Sequence, residues 1–189
     1  MKRLAIAIVA LAALTGACKS RPVNGTSSSV VIIKTSLGDM KVQLDSEKAP
    51  QTVANFLKYV DAGFYDGTIF HRVIRNFMIQ GGGFDAQMTE KPTGAPVKNE
   101  SSNGLTNDRG TIAMARRQDP DSAMAQFFIN TVNNPFLNYP TSGGYTVFGK
   151  VIDGMDVVDR IKSVPTGQMR GMSDVPETPV VIESIRRAP

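Results

Sequence analysis

The sequence predicts a mainly β protein, a closed eight-stranded antiparallel β-barrel capped by two α-helices. Eight short apolar runs, some alternating with polar residues, are separated by Gly, Asn and Pro, as in strands joined by turns. Only two segments repeat apolar residues at helical spacing. Strands and helices do not alternate regularly as they do in parallel α/β folds, which favours an antiparallel barrel.

The first two strands are predicted as a hairpin. Residues 30–33 are an apolar run, and residues 40–44 are apolar at every second position after a turn at 36–39. The period of two indicates that one face of this hairpin is exposed to solvent. The other six predicted strands follow along the chain at 68–74, 77–80, 111–115, 126–130, 145–152 and 180–185.

The first helix is the clearest element of the pattern. Pro50 stands in its first turn, Gly63 ends it, and four apolar residues between them lie on one helical face. These residues are Val53, Phe56, Leu57 and Val60. A second helix is predicted after Asp153 and Gly154, with Met155, Val158 and Ile161 on its buried face.

Residues 1–17 are predicted to be a secretory signal peptide. Lys2 and Arg3 precede an apolar run at 4–14, which is too short to span a bilayer as a helix but has the plan of such a signal. The domain is predicted to be exported to the periplasm. Residues 30–189 then form one globular domain.

Cys18, the only cysteine, follows Leu14-Thr15-Gly16-Ala17, a segment that resembles a bacterial lipobox. On this interpretation Cys18 carries acyl chains that anchor the protein to a membrane, and residues 18–29 form a flexible tether. Lys19 favours the outer membrane, because it is not the aspartate associated with inner-membrane retention. The alternative is ordinary cleavage near Ala17 without a lipid.

Composition excludes several classes of function. The net charge of +4 includes Lys2 and Arg3, and no basic block accompanies it, so we expect no nucleic-acid partner. One Cys and one His exclude a disulfide framework and a four-ligand zinc site. We expect no metal and no cofactor, and nothing in the sequence requires more than a monomer.

Two predicted strands carry polar side chains on otherwise apolar faces. Arg72 shares a face with Phe70 and Ile74, which suits a cation beside a cleft, or else a surface arginine at the barrel rim. Gln126, Phe128 and Asn130 share another face, where core packing is the alternative to a binding role.

Two nearby features are interpreted as structural. His71 alternates with Arg72 and therefore points to the opposite face of its strand. Three glycines at 81–83 lack the Lys-Ser/Thr of a phosphate loop, and they indicate a turn or a close backbone approach.

The segment 70–82, FHRVIRNFMIQGG, resembles the signature of the cyclophilins, which are prolyl cis-trans isomerases. The segment 126–129, QFFI, resembles their second motif, and 63–68, 109–115 and 147–151 extend the similarity over about 30–185. The resemblance implies an eight-stranded antiparallel barrel with two helices. It also implies isomerase activity on proline-containing polypeptides, here during the folding of exported proteins.

The resemblance implies Arg72 as the catalytic residue. Phe136 and Tyr145 stand where the eukaryotic pattern has Trp and His, as in the bacterial branch. The substrate-binding cleft implied at matching positions comprises Phe77, Met78, Gln80, Ala115, Arg116, Gln126, Phe128, Phe136, Leu137 and Tyr145.

The chemistry of prolyl isomerisation fits this inventory. Rotation about a peptide bond has a barrier of about 18–20 kcal/mol, and no covalent bond is made or broken, so no nucleophile or metal is required. Two alternatives stay open: a module that binds proline segments without catalysis, and a periplasmic chaperone or component of an envelope assembly in which isomerisation is incidental. A hydrolase is disfavoured because His71 points away from Arg72 and no Gly-x-Ser-x-Gly motif occurs.

Overall fold

Strands dominate the computed structural model, which describes residues 29–189. The predicted signal peptide, Cys18 and the tether before Ser29 lie outside the described residues. The helices are α1 (Pro50–Asp61) and α2 (Met155–Ile161). The strands are β1 (Val30–Thr35), β2 (Gly38–Leu44), β3 (Thr68–Ile69), β4 (Arg72–Ile74), β5 (Met78–Gly81), β6 (Thr111–Met114), β7 (Phe127–Asn130), β8 (Val147–Asp153), β9 (Thr166–Met169), β10 (Met172–Pro176) and β11 (Val181–Arg187).

Nine of these strands form one curled antiparallel sheet in the order β3-β11-β1-β2-β8-β6-β7-β5-β4. Its two edge strands are consecutive in the chain, with only Phe70 and His71 between them. The predicted single strand 68–74 is therefore divided. β3 pairs with β11, and β4 pairs with β5.

The prediction of a closed eight-stranded barrel is not confirmed, because β3 and β4 do not pair with each other. The physical reason lies at Phe70 and His71. Both side chains are buried, and the Phe70 backbone N–H donates to Val180 O, which lies just before β11. The chain therefore pairs with β11 before Phe70 and with β5 after His71. The sheet does not close at this point and is a curled half-barrel.

Helix α1 fills the interior of the curled sheet and confirms the predicted face. Phe56 is fully buried, and its ring lies 5.8 Å from that of Phe127 on β7 and 5.2 Å from that of Phe148 on β8. Helix α2 begins after Gly154 and packs against β2, with Val158 and Ile161 fully buried. Within residues 29–189, no helix combines the length and apolarity needed to cross a bilayer.

The two faces of the sheet bury different sets of side chains. On β7, Phe127 and Ile129 belong to the main core, whereas Phe128 belongs to a second apolar cluster on the opposite face. This alternation is the predicted one. The site described below lies on that second face.

The hairpin of β9 and β10 is not predicted from the sequence. These strands form a separate two-stranded sheet, joined at Arg170 and Gly171, which both have positive φ. Val175 and Met172 of this hairpin pack with Ile69 in a third small cluster.

Candidate active site

A row of four side chains crosses the sheet on the face turned away from the main core. In the ladders, Arg72 of β4 lies opposite Gln80 of β5, Gln80 opposite Phe128 of β7, and Phe128 opposite Ala113 of β6. Residues directly opposite in antiparallel strands project from the same face. Strand register therefore places the Arg72 guanidinium beside an amide and then an aromatic ring.

Three residues of this row, Arg72, Gln80 and Phe128, line a pocket of about 110 Å³. Pockets for drug-sized ligands measure about 300–1,000 Å³, so this one suits a single small ring. Its apolar walls are almost fully buried at Met78, Phe128 and Leu137. Nine of the eleven predicted site residues line it: Arg72, Phe77, Met78, Gln80, Ala115, Arg116, Phe128, Leu137 and Tyr145.

The other two predicted residues lie beside this pocket. Phe136 is 57% exposed and stacks on Phe77, with 5.6 Å between the ring centroids. It therefore extends the apolar wall of the pocket toward solvent. Gln126 lines a neighbouring hollow of about 90 Å³ that shares Gln80, Ala115 and Arg116 with the pocket. The structure thus brings all eleven predicted catalytic and substrate-binding residues into one region.

Two glutamines form a hydrogen bond at the boundary between the pocket and the hollow. Gln80 Nε2 donates to Gln126 Oε1 at 3.0 Å. Gln126 lies against Gly83, where an added Cβ would come within 2.4 Å of its side chain. Gly81 likewise approaches Ile69 O, at 2.9 Å from an added Cβ. The interpretation of the glycine run as a close backbone approach is confirmed.

Arg72 is half-buried, and its guanidinium makes no ion pair or hydrogen bond with the other residues among 29–189. A guanidinium stays charged at all ordinary pH values and presents five N–H donors in a planar fork. The pocket therefore has a permanent cationic donor at its edge that is available to a bound molecule.

His71 lies on the other face of the strand, as the alternation predicts. It is 1% exposed, and its ring is 4.6 Å from that of Phe84. Burial lowers the pKa of His71 to about 4, so the ring is neutral at pH 7. A neutral, buried imidazole fits the structural interpretation and adds no second positive charge next to Arg72.

Three buried asparagines that the sequence reasoning missed support the pocket from behind. Asn134 Nδ2 donates to Asn130 Oδ1 at 2.7 Å, and Asn130 Nδ2 donates to Asn107 Oδ1 at 3.2 Å. Asn130 was noted only for sharing a face with Phe128. The network also holds backbone carbonyls of three pocket residues, Phe77, Leu137 and Tyr145.

The nine residues that line the pocket include no Asp, Glu, His or Cys. Among residues 29–189, no three His, Cys, Asp or Glu side chains cluster as metal ligands would. What the pocket offers is an apolar slot, a fixed charge and amide hydrogen bonds. Such a set can bind a small ring and stabilise a polar atom attached to it.

The comparisons with known proteins agree with this geometry. The family model for cyclophilin-type peptidyl-prolyl cis-trans isomerases matches residues 30–187. A peptidyl-prolyl cis-trans isomerase of Streptomyces antibioticus is 57% identical over 162 residues, which cover 84% of this chain and 98% of that protein. Peptidyl-prolyl cis-trans isomerase B of Escherichia coli is 55% identical over 160 residues, 82% and 98% of the two chains.

A solved structure extends the similarity to the fold. The crystal structure of a Cryptosporidium parvum cyclophilin-type isomerase, obtained in the presence of the dipeptide Ala-Pro, matches with a TM-score of 0.72 and 31% identity. The match covers 85% of this chain and 99% of that one. The family match over nearly all described residues and the high identity to two isomerases lead to one conclusion: this chain belongs to the cyclophilin-type peptidyl-prolyl cis-trans isomerases and is an enzyme of that activity.

Proposed function

We propose that this isomerase binds the proline ring of an X-Pro segment in the 110 Å³ pocket and accelerates rotation through Arg72. The observation that carries the proposal is the register of β4, β5 and β7, which aligns Arg72, Gln80 and Phe128 across one face. The ring would lie against the apolar walls, and the reacting amide would lie at the Arg72 end of the row.

Arg72 would act by favouring the twisted amide over both planar forms. Twisting breaks the amide resonance, and the prolyl nitrogen regains a lone pair that can accept a hydrogen bond. In the planar forms the nitrogen offers little to a donor. An N–H of Arg72 would therefore contribute mainly in the transition state, which is the condition for raising the rate.

Four other residues at the pocket would hold the substrate. Gln80 and Gln126, joined by their 3.0 Å hydrogen bond, would bind the substrate backbone or orient Arg72. Phe77 and Phe136, which stack on each other, would cover the open side of the ring and exclude water. The substrates would be proline-containing polypeptides.

The test is kcat/KM for an X-Pro peptide with the purified protein and with Arg72→Ala and Arg72→Lys. A hydrogen bond to a charged group contributes about 1.5–3 kcal/mol, so each variant should lose roughly 10- to 200-fold in kcat/KM. Lysine keeps the charge but lacks the planar fork. Arg75→Lys is the matched control, since Arg75 is exposed and its guanidinium reaches only Ser163 O, at 3.4 Å. Full activity in Arg72→Lys would contradict the role of Arg72.

We also propose that the enzyme serves the folding of exported proteins in the periplasm, as a lipoprotein anchored through Cys18. Support for this comes from the sequence: the charged and apolar order of residues 1–17 and the lone cysteine after a lipobox-like segment. Two or more acyl chains are needed for stable anchoring, which lipidation of such a cysteine would supply. Residues 18–29 would then separate the catalytic domain from the membrane, and the domain would act as a monomer.

A further inference from the structure

Arg116 has an unusual position for a charged side chain at a binding pocket. It follows β6, is half-buried, and lies in the wall between the pocket and the neighbouring hollow. Its guanidinium reaches across to the loop before β8. Nε donates to Gly144 O at 3.1 Å, and Nη2 donates to Ser142 O at 2.6 Å.

The guanidinium is also held by its own segment. Nη1 donates to Arg117 O at 2.9 Å and to Gln118 O at 3.2 Å. Four hydrogen bonds thus occupy the three nitrogens of the Arg116 fork, all to backbone carbonyls. Because these donors point at the protein, the head group of Arg116 is engaged in structure and not presented to a substrate.

The same side chain fixes an aromatic wall of the pocket. The Arg116 guanidinium lies over the Tyr145 ring, 4.2 Å from its centroid. Tyr145 in turn meets Phe128 edge-on, with ring centroids 5.8 Å apart. A cation above a ring is attracted to its face, and edge-to-face rings are mutually favourable. Arg116 and Phe128 therefore hold Tyr145 from two sides.

We infer that Arg116 is a positioning residue that sets the width of the proline pocket by fixing the loop 141–145 and the Tyr145 ring. The inference rests on the proposed function, because it concerns the same pocket. Only arginine fits this position: a lysine ammonium has no planar fork with which to bond Ser142 O, Gly144 O and the segment after β6 together. Catalysis at Arg72 is not altered directly.

Loss of Arg116 should leave the loop attached. Asn99 Nδ2 donates to Gly143 O at 3.2 Å and to Gly144 O at 3.3 Å, and Ser101 Oγ donates to Gly143 O at 2.6 Å. These three bonds are made by Asn99 and Ser101 and do not need the Arg116 side chain. A variant at Arg116 is therefore expected to fold, and only the position of the Tyr145 ring in the pocket wall should become less fixed.

The experiment measures KM and kcat separately, with the Kd of the peptide, in Arg116→Lys. Because a looser wall weakens binding of the planar and twisted substrate alike, KM and Kd should rise about 5- to 20-fold while kcat stays within about twofold. Arg75→Lys is the control, since Arg75 is exposed and its guanidinium reaches only Ser163 O. An unchanged KM, or a fall in kcat alone, would overturn the inference.

A double-mutant cycle distinguishes positioning from a general loss of stability. Tyr145→Leu should raise KM as Arg116→Lys does, and the double variant should be no worse than Tyr145→Leu, because both changes remove the same wall. Additive effects would contradict the inference. Failure of this inference is distinguishable from failure of the proposed function. A normal KM in Arg116→Lys, together with a large loss of kcat/KM in Arg72→Lys, would reject only the role of Arg116. Full activity in Arg72→Lys would reject the proposed mechanism.

Discussion

Two consecutive residues, His71 and Arg72, have opposite electrostatic environments. Arg72 is on the open face, where a charge remains partly solvated and can meet a substrate, whereas His71 is almost fully buried against Phe84. Its Nδ1 has no hydrogen-bond partner among the described residues. Protonation of His71 would place a second charge beside Arg72, and burial outweighs the backbone hydrogen bond at Ile69 that favours the charged ring, so His71 is neutral at pH 7.

This environment predicts a loss of stability in mild acid. The folded-state pKa of His71 is about 4, below the unfolded value of about 6.5, so the unfolded chain takes up a proton first as the pH falls. Stability should decrease from about pH 6.5 to about pH 4, by about 2–3 kcal/mol in total. Urea unfolding at pH 7 and pH 4.5 measures the decrease.

His71→Gln is the control, because glutamine does not titrate and this part of the decrease should vanish. The aspartates titrate in a lower window: hydrogen bonding to Arg187 lowers the pKa of Asp61, and hydrogen bonding to Arg186 lowers that of Asp66, so their contribution is lost only below about pH 4. An equal decrease in His71→Gln would show that His71 does not cause it.

Gly83→Ala should reduce activity with little effect on stability. The new Cβ would come within 2.4–2.6 Å of Gln126 Cγ, Nε2 and Cδ, so the half-buried side chain must turn about its first torsion angle. Moving it breaks the Gln80–Gln126 hydrogen bond, so kcat/KM should fall about 3- to 10-fold, while unfolding free energy changes by less than about 1 kcal/mol. Gly94→Ala is the control, since its Cβ would meet only the Tyr59 hydroxyl, at 3.6 Å. Unchanged activity in Gly83→Ala would mean that the amide pair does not assist the site.

At the scale of elements, α1 depends on a cap from a distant part of the chain. Glu100 accepts hydrogen bonds from the backbone N–H groups of Gln51 and Thr52, at 3.1 and 2.8 Å, and from Thr52 Oγ1 at 2.7 Å. A carboxylate at this position satisfies unpaired donors and favours the helix dipole. The helix in turn holds Phe127, on the strand that carries Phe128, through Phe56.

Removing this cap should destabilise the protein without altering the site. Glu100→Ala is expected to lower the free energy of unfolding by about 1–2 kcal/mol, and Glu100→Gln by about half of that, because an amide keeps one acceptor. Chemical denaturation measures both. Glu47→Ala, at an exposed glutamate, should change stability by less than about 0.5 kcal/mol. An equally small effect in Glu100→Ala would contradict the capping role.

The elements that the sequence predicts best are those whose pattern is local. Helix α1 has its Pro50, its apolar face and its closing Gly63 within one segment, and the faces of β7 follow from simple alternation. The division of 68–74 into β3 and β4 could not be predicted this way, because it depends on which strands pair with each half. The β9–β10 hairpin was missed because residues 166–169 have little apolar patterning.

At the scale of the whole molecule, the predicted site residues gather because register aligns distant segments. Arg72 and Phe128 are far apart in sequence and are brought into one row by Gln80 between them. The motif resemblance identifies these positions, whereas spacing alone favours core packing for the Phe and Met residues among them. The buried Asn107, Asn130 and Asn134 network was not predictable, since a polar residue on a strand does not indicate its partners.

The cellular setting is tested by the fate of the chain's only cysteine. If Cys18 carries the proposed lipid, Cys18→Ala should release the protein from membranes, because the lipobox-like segment then has no cysteine to acylate, whereas the unaltered protein should partition into detergent. Residues 30–189 are unchanged in the variant, so its isomerase activity should equal that of the parent protein. Unchanged membrane association of Cys18→Ala would contradict the lipid anchor and favour ordinary cleavage near Ala17.

The most direct test of the central claim separates the binding of an X-Pro peptide from its isomerisation. NMR exchange with wild-type protein and Arg72→Lys gives both the Kd of the peptide and the rate of cis-to-trans conversion on the protein. We expect a Kd within about threefold of wild type and a conversion rate lower by roughly 10- to 200-fold, since Arg72 acts on the twisted amide alone. An unchanged conversion rate, or a loss confined to binding, would contradict this role of Arg72.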